Sequence, residues 1–384
     1  MSVVAGSATR TRYRPRLGEL RVLIAPIALI VIVGLIGSGL PLATQQYFIT
    51  ALVSVTIVIG LYVFVGNSGV ISFGTISFTS IGAFGAGVLT IPTQTKHFVM
   101  PGLWSFLATH SVGNFTSLLL AAGLGALYAF LVGIPLVRLS GLSAGIATFA
   151  VLEITYNVFE FWTKIGPGAQ TLALVPITTG VFQATIGAII AAVVAFLYQS
   201  SRRGRLLRAS REDPAAAQAI GVNIRRERLL AFTLSGAIAG LGGALLVHQL
   251  GEISAADVYL NLTFLTLAML VIGGSGSLWG ATVGAILISL LNSYLSKAEN
   301  GLSLGLFSVN LPTGTSDLIL GVLMAAMLIF RPRGLTGGRE LIPRVPAAIR
   351  RRLGGDRADS APEPAQTPDQ APAVEETAAP LERQ

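Results

Sequence analysis

The chain has 384 residues, of which 52% are hydrophobic and only 11% charged, with a formal net charge of +8 and a mean hydropathy of +0.72. A soluble domain carries about 25% charged residues, so the composition excludes a soluble globular protein and describes an integral membrane protein. With no cysteine in the chain, disulfides, thiolate metal sites and cysteine chemistry are excluded as well.

The N-terminal arm, residues 1–21, carries Arg10, Arg12, Arg14, Arg16 and Arg21 and runs directly into an apolar segment without a cleavable signal pattern. The first helix is therefore expected to be retained. A helix needs roughly 20 apolar residues to cross the hydrocarbon core, and runs approaching that length lie at 22–40, 47–65, 70–91, 115–137, 141–162, 180–198, 229–250, 258–273, 278–295 and 317–330. The expected fold is all-α and polytopic, with about ten transmembrane helices in a domain spanning 22–331. Many of the 44 glycines fall inside these runs. Gly82 with Gly85, and Gly236 with Gly240 and Gly243, have helical spacing and are expected at helix contacts, where small residues let backbones approach.

Two turn-forming strings, Asn67-Ser68-Gly69 and Gly274-Ser275-Gly276, interrupt the apolar runs. Each precedes an aromatic-glycine pair, Phe73-Gly74 and Trp279-Gly280, which suggests an internal repeat. Broken helices can expose backbone groups to a solute; a tight turn between two helices is the alternative. Within 141–162, Glu153 lies near the middle of a helix, with Glu160 on roughly the same face. A carboxylate in lipid is costly and normally faces the bundle interior or a watery cavity. Glu153 is thus a candidate for lining a translocation path or for locking helices together. His97, His110 and His248 show no metal-ligand spacing, and His248 is expected at the membrane interface. No metal or other cofactor is expected.

Residues 201–228 form the one long polar stretch among the apolar runs and carry eight arginines. At its centre Asp213 can cap a short helix, Pro214 suits its first position, the alanine-rich stretch 215–220 propagates it, and Gly221 can close it in the left-handed conformation. Such a bracketed helix reads as a docking surface, with a solvated loop as the alternative. Of the 26 basic residues, 23 fall in the N-terminal arm, at Arg138, in 202–228 and from Arg331 onward, while Lys96, Lys164 and Lys297 are each alone in a loop. Positive charge is retained on the cytoplasmic face, so ten crossings with both termini inside fit the distribution. The charge is sorted by membrane side and implies no nucleic acid partner. The tail, 332–384, turns after about residue 354 into alanine, proline, glutamate and glutamine, and is expected to be disordered there.

Several strings in order resemble the permease subunits of branched-chain amino acid ABC importers of the LivM type. They are Gly66-Asn67-Ser68-Gly69-Val70-Ile71-Ser72-Phe73-Gly74 with Ile81-Gly82-Ala83-Phe84, then Ile146-Ala147-Thr148-Phe149-Ala150 with Glu153-Ile154, and Gly204-Arg205-Leu206-Leu207-Arg208-Ala209. Leu230-Ala231-Phe232, Gly236-Ala237-Ile238-Ala239-Gly240 and Gly273-Gly274-Ser275-Gly276-Ser277-Leu278-Trp279-Gly280 complete the series. The resemblance implies a multi-pass cell-membrane protein working with separate ATPase subunits, a second permease subunit and an extracytoplasmic solute-binding protein. It implies docking of the ATPase at Glu212, Asp213, Ala216, Ala217 and Gly221, and a translocation path near Asn67, Ser72, Phe73, Thr148 and Glu153. Where importers of this kind carry Glu-Ala-Ala in the docking helix, the glutamate position here is Ala215. A second departure is Gly166-Pro167-Gly168, in a loop where relatives carry a glycine pair.

Energy for such a subunit must come from elsewhere. The phosphate-cradling loop requires a lysine directly after a glycine, and the three lysines follow Thr95, Thr163 and Ser296. The chain is thus expected not to be an enzyme. The arginines around the docking helix are expected to lie near acidic lipid head groups. Two transport classes stay open at this point: an ABC importer subunit for a small polar solute, most specifically branched-chain amino acids, and a proton- or ion-coupled secondary transporter using Glu153.

Overall fold

In lipid every backbone N–H and C=O must be satisfied within the protein, which leaves helices as the economical solution for a chain this apolar. The structure, a computed structural model, describes residues 17–299, 302–304, 307–309, 312, 314–331, 334–338 and 340–341. The arm before residue 17 and the tail beyond 341, including its expected disorder, lie outside the described residues.

The helices in chain order are α1 (Leu17–Ser38), α2 (Leu42–Ser68), α3 (Thr75–Thr90), α4 (Thr93–Val99), α5 (Ser105–Thr109), α6 (Asn114–Leu136), α7 (Leu142–Phe161) and α8 (Val181–Ser200). They continue with α9 (Arg202–Glu212), α10 (Pro214–Ala219), α11 (Ile224–Leu250), α12 (Leu260–Gly273), α13 (Leu278–Glu299) and α14 (Thr315–Phe330). A short antiparallel hairpin, β1 (Leu302–Leu304) with β2 (Phe307–Val309), joins α13 to α14. Each apolar run read from the sequence contains one helix. Among the described residues eight helices are long and apolar enough to cross a membrane, and α3 and α14 are shorter apolar helices. The run at 70–91 is shortened at its start because Gly69 ends α2 in the left-handed conformation (φ +70°) and residues 70–74 stay non-helical.

The bundle is organised around α2 and α11. Helix α2 is buried continuously from Ala51 to Ser68, and α11 packs against α2, α3 and α6. Small residues make these approaches possible. On α6 every fourth residue, Ser117, Ala121, Gly125, Ala129 and Gly133, is buried, forming one stripe along the helix. A Cβ on Gly240 would come within 2.5 Å of the Ala121 carbonyl oxygen, and one on Gly236 within 2.5 Å of that of Gly125. Beside these contacts, Gly243 lies against the Thr79 carbonyl and Gly240 against Gly82 of α3. Gly85 is less tightly held, facing Leu124 of α6. The expected glycine contacts are therefore backbone-to-backbone crossings of α11 with α3 and α6.

Two polar residues are taken into the fold. His248, in the last turn of α11, is fully buried within the bundle. Its Nε2 shares a 3.1 Å hydrogen bond with Ser117 Oγ and its Nδ1 one of 3.1 Å with the Pro176 carbonyl, so both ring nitrogens are satisfied and burial is tolerated. Lys96, the single basic residue of its loop, is also fully buried. Its ammonium donates to the carbonyls of Leu107 (2.8 Å) and His110 (2.5 Å), closing the last turn of α5 and its exit. Burial holds its pKa below the usual lysine range.

Candidate functional site

The polar stretch 201–228 folds as two helices rather than one. Ser201 Oγ accepts the Gly204 amide (3.1 Å) at the start of α9. After Glu212 the chain turns at Asp213, whose Oδ1 accepts the amides of Ala215 (2.9 Å) and Ala216 (3.0 Å) to cap α10. Pro214, at the first position, has no amide to satisfy. At the far end the Gly221 amide donates to Gln218 (2.9 Å), that of Val222 to Ala217 (3.0 Å), and Gly221 has φ +83°. This is the Schellman closure that a glycine in the left-handed region permits. Asn223 then caps α11 by accepting the Arg226 amide (3.1 Å).

Ala217 is buried on the bundle side, while Glu212, Asp213, Ala216 and Gly221 are exposed. Ile220 is 78% exposed. Of the five sequence-derived docking residues, Ala216 and Ala217 lie in α10, Asp213 and Gly221 bound it and Glu212 ends α9; Ile220 joins them as an apolar point that spacing alone did not single out.

The other candidates divide into two groups. Asn67 and Ser68 are the last residues of α2 rather than a break, and Ser72 and Phe73 lie in the non-helical link to α3. The Phe73 amide donates to Thr148 Oγ1 (3.2 Å), and the Phe73 ring meets that of Phe149 edge-on at 6.4 Å, so the start of α7 packs on this link. Asn67 Nδ2 donates to the Val63 carbonyl (2.8 Å). Its Oδ1, with Ser72 Oγ, Thr75 Oγ1 and Thr79 Oγ1, is buried without a hydrogen-bond partner among the described residues.

Glu153 lies farther along α7, about 7.5 Å from Thr148 at 1.5 Å per residue. Its Oε1 accepts from Asn157 Nδ2 (2.9 Å), and its Oε2 accepts from the Tyr259 hydroxyl. Tyr259 in turn stacks on Tyr156, with ring centroids 4.1 Å apart. Glu153 and Asn157 border an open groove of about 520 Å³ along α7 that also involves Ile154 and Trp162. Asn157 was accessible to sequence reasoning, since a residue four places on shares the helix face. Tyr259, 106 residues away, had no local signal.

The residue preceding the first turn string lies against the second. A Cβ on Gly66 would come within 2.8 Å of the Ser275 carbonyl oxygen. Their geometries differ, however: Phe73-Gly74 precedes α3, whereas Trp279-Gly280 lies in the first turn of α13.

A family model described as the permease component of a branched-chain amino acid transport system matches residues 43–328. The LivM permease protein of the high-affinity branched-chain amino acid transport system of Escherichia coli is 27% identical over 311 residues, covering 72% of this chain and 66% of that protein. The probable branched-chain amino acid transport permease protein LivM of Methanocaldococcus jannaschii is 25% identical over 308 residues, covering 72% and 88%. The autoinducer 2 import system permease protein LsrC of Escherichia coli is 28% identical over 223 residues, covering 55% and 61%. No solved structure matches the chain.

Proposed function

From the premise that the chain belongs to the family of branched-chain amino acid transport permease components, we propose that it is a membrane-spanning subunit of an ABC importer carrying a small polar solute inward, with branched-chain amino acids as the first substrates to test. ATP is hydrolysed on separate ATPase subunits. A second permease subunit completes the pore, and an extracytoplasmic solute-binding protein delivers the solute. All ten apolar helices cross the membrane in this reading, with both termini and the α9–α10 loop in the cytoplasm.

The observation that carries the proposal is α10: a helix capped at both ends, exposed apart from Ala217, and bearing Ile220 with 78% of its surface free. An isolated helix this short is unstable in water, so side-chain and glycine caps that fix it serve a surface that must keep its shape. Docking at Glu212, Asp213, Ala216, Ala217 and Gly221 fits that requirement. Ala215 leaves the acidic contact to Glu212 or Asp213, and Asp213 is already engaged in capping.

The solute path runs past Asn67, Ser72, Phe73 and Thr148 at one level and Glu153 at another. Unpartnered polar atoms at the first level and a partly exposed carboxylate at the second support this placement, because polar groups at membrane depth belong against protein or water rather than lipid.

A secondary transporter using Glu153 is the rival, and the two differ in where energy enters. Vesicles holding the purified complex are loaded with ATP on the cytoplasmic side, and uptake of labelled leucine is followed with and without an uncoupler. ATP-dependent, uncoupler-insensitive uptake is expected. Uptake that continues without ATP and collapses with the uncoupler rejects the importer.

A further inference from the structure

The segment after α14 returns to the turn between α12 and α13 and is bonded to both sides of it. The Leu335 amide donates to the Ile272 carbonyl (2.8 Å), and Thr336 Oγ1 donates to that of Gly273 (2.9 Å). Four residues on, Glu340 Oε1 accepts the Leu278 amide (2.8 Å) and Oε2 that of Trp279 (3.2 Å). These are the first two residues of α13, whose amides have no partner within the helix. One carboxylate therefore supplies acceptors for both, where the helix dipole favours negative charge.

The same carboxylate faces the loop helices. The Gln199 side chain, at the end of α8, is near enough to lower the Glu340 pKa, and it accepts the Tyr62 hydroxyl of α2 (2.7 Å). Arg208 of α9 donates to the Gln199 carbonyl and lies close enough to lower the Glu340 pKa. Burial pushes that pKa up, and the two amides and the guanidinium oppose the shift. One helical turn along α9, Arg211 donates to the Gly66 carbonyl (3.3 Å), and its Cγ and Cδ cover Gly69. Arg211 thus holds the end of α2 and Arg208 the end of α8, beside which Glu340 holds the start of α13.

We propose that Glu340 is a positioning residue that links the α9–α10 loop to the α12–α13 turn, so that movement of the loop reaches the transmembrane helices at this turn as well as at the end of α2. The inference rests on the docking role of the loop proposed above. It requires both halves of the linkage. Without Glu340 the Leu278 and Trp279 amides lose their acceptor and the end of α8 that Arg208 holds loses its neighbour at the start of α13, so α9 can move while α13 stays behind.

Complexes of the full chain with its ATPase subunits, carrying Glu340→Ala, Glu340→Gln or Arg208→Gln, are placed in vesicles, and labelled leucine taken up is measured per ATP hydrolysed. Co-purification of the ATPase reports docking separately. The linkage predicts normal co-purification with solute per ATP reduced about fivefold in Glu340→Ala, a size typical of coupling between distant sites. Glu340→Gln keeps one acceptor and falls between. Arg208→Gln combined with Glu340→Ala is no worse than Glu340→Ala alone, as expected for two members of one linkage.

A residue that only stabilises the fold would reduce the yield of complex and leave the ratio unchanged. Parent-like solute per ATP in assembled Glu340→Ala, or fully additive losses in the double variant, overturns the linkage. If Glu340→Ala does not assemble, Glu340→Gln and Arg208→Gln decide, and a parent-like ratio in both has the same meaning. A parent complex whose uptake does not follow ATP overturns the proposed function, and the linkage falls with it.

Discussion

Gly221 has φ +83° and no atom within 4 Å of where its Cβ would stand, so the cost of a side chain there is conformational and not steric crowding by neighbours. A left-handed residue other than glycine costs about 1–2 kcal/mol, and a β-branched one is worse placed. Gly221→Val is expected to open the closure at Val222 and weaken ATPase attachment while the bundle stays folded; parent-like co-purification and ATPase activity would remove α10 from the docking surface. Asp213→Ala removes the acceptor for two amides and costs about 1 kcal/mol. Hydrogen exchange should accelerate about fivefold at Ala215 and Ala216 and remain unchanged in α11. Glu153→Gln keeps an acceptor for Tyr259 but deletes the charge, so ATP-driven uptake should persist at an altered rate and stay insensitive to an uncoupler. Loss of accumulation in that variant alongside uncoupler sensitivity in the parent would assign Glu153 to proton coupling instead.

The crossing of α11 with α3 and α6 explains why glycines inside apolar runs matter more at some positions than at others. A Cβ on Gly82 would meet the backbone of Gly240, which cannot rotate away, whereas one on Gly123 of α6 meets nothing within 4 Å. Gly82→Leu should therefore lower stability by about 1–3 kcal/mol, the usual cost of overpacking, and Gly123→Leu should be neutral or mildly stabilising because leucine is the better helix former. Thermal unfolding in detergent compares the two; equal melting temperatures would mean that the close crossing does not exist. These contacts were legible because helical spacing and residue size are local properties. The capped α10 was legible for the same reason, with Asp213, Pro214 and Gly221 each marking a boundary by its own chemistry. The extent of α9 was hidden by its arginines, which read as a charged loop until Arg208 and Arg211 find partners on other helices. Tyr259, Glu340 and the burial of Lys96 and His248 were hidden more completely. Each depends on a partner brought close only by the packed bundle, and no periodicity in the chain announces such a pair.

At the scale of the whole molecule, the sidedness of the membrane joins the charge pattern to the direction of transport. The proposed ten-crossing topology puts Lys164 and Lys297 on the side opposite the arginine-rich loop 201–228, and the natural absence of cysteine lets single cysteines report each side. Lys164 and Lys297 are exposed in the fold, as is Arg205, while Lys96 is fully buried. Position therefore decides labelling at the first three, and burial decides it at the fourth. An impermeant thiol reagent added outside intact cells should modify Lys164→Cys and Lys297→Cys but not Arg205→Cys, which should react once the membrane is opened. Lys96→Cys should resist the reagent in both conditions and react only after unfolding, because the pocket made by the Leu107 and His110 carbonyls is closed from either side. Outside labelling of Arg205→Cys would reverse the proposed topology. It would also place α10 on the side opposite to ATP, where no motor could reach it.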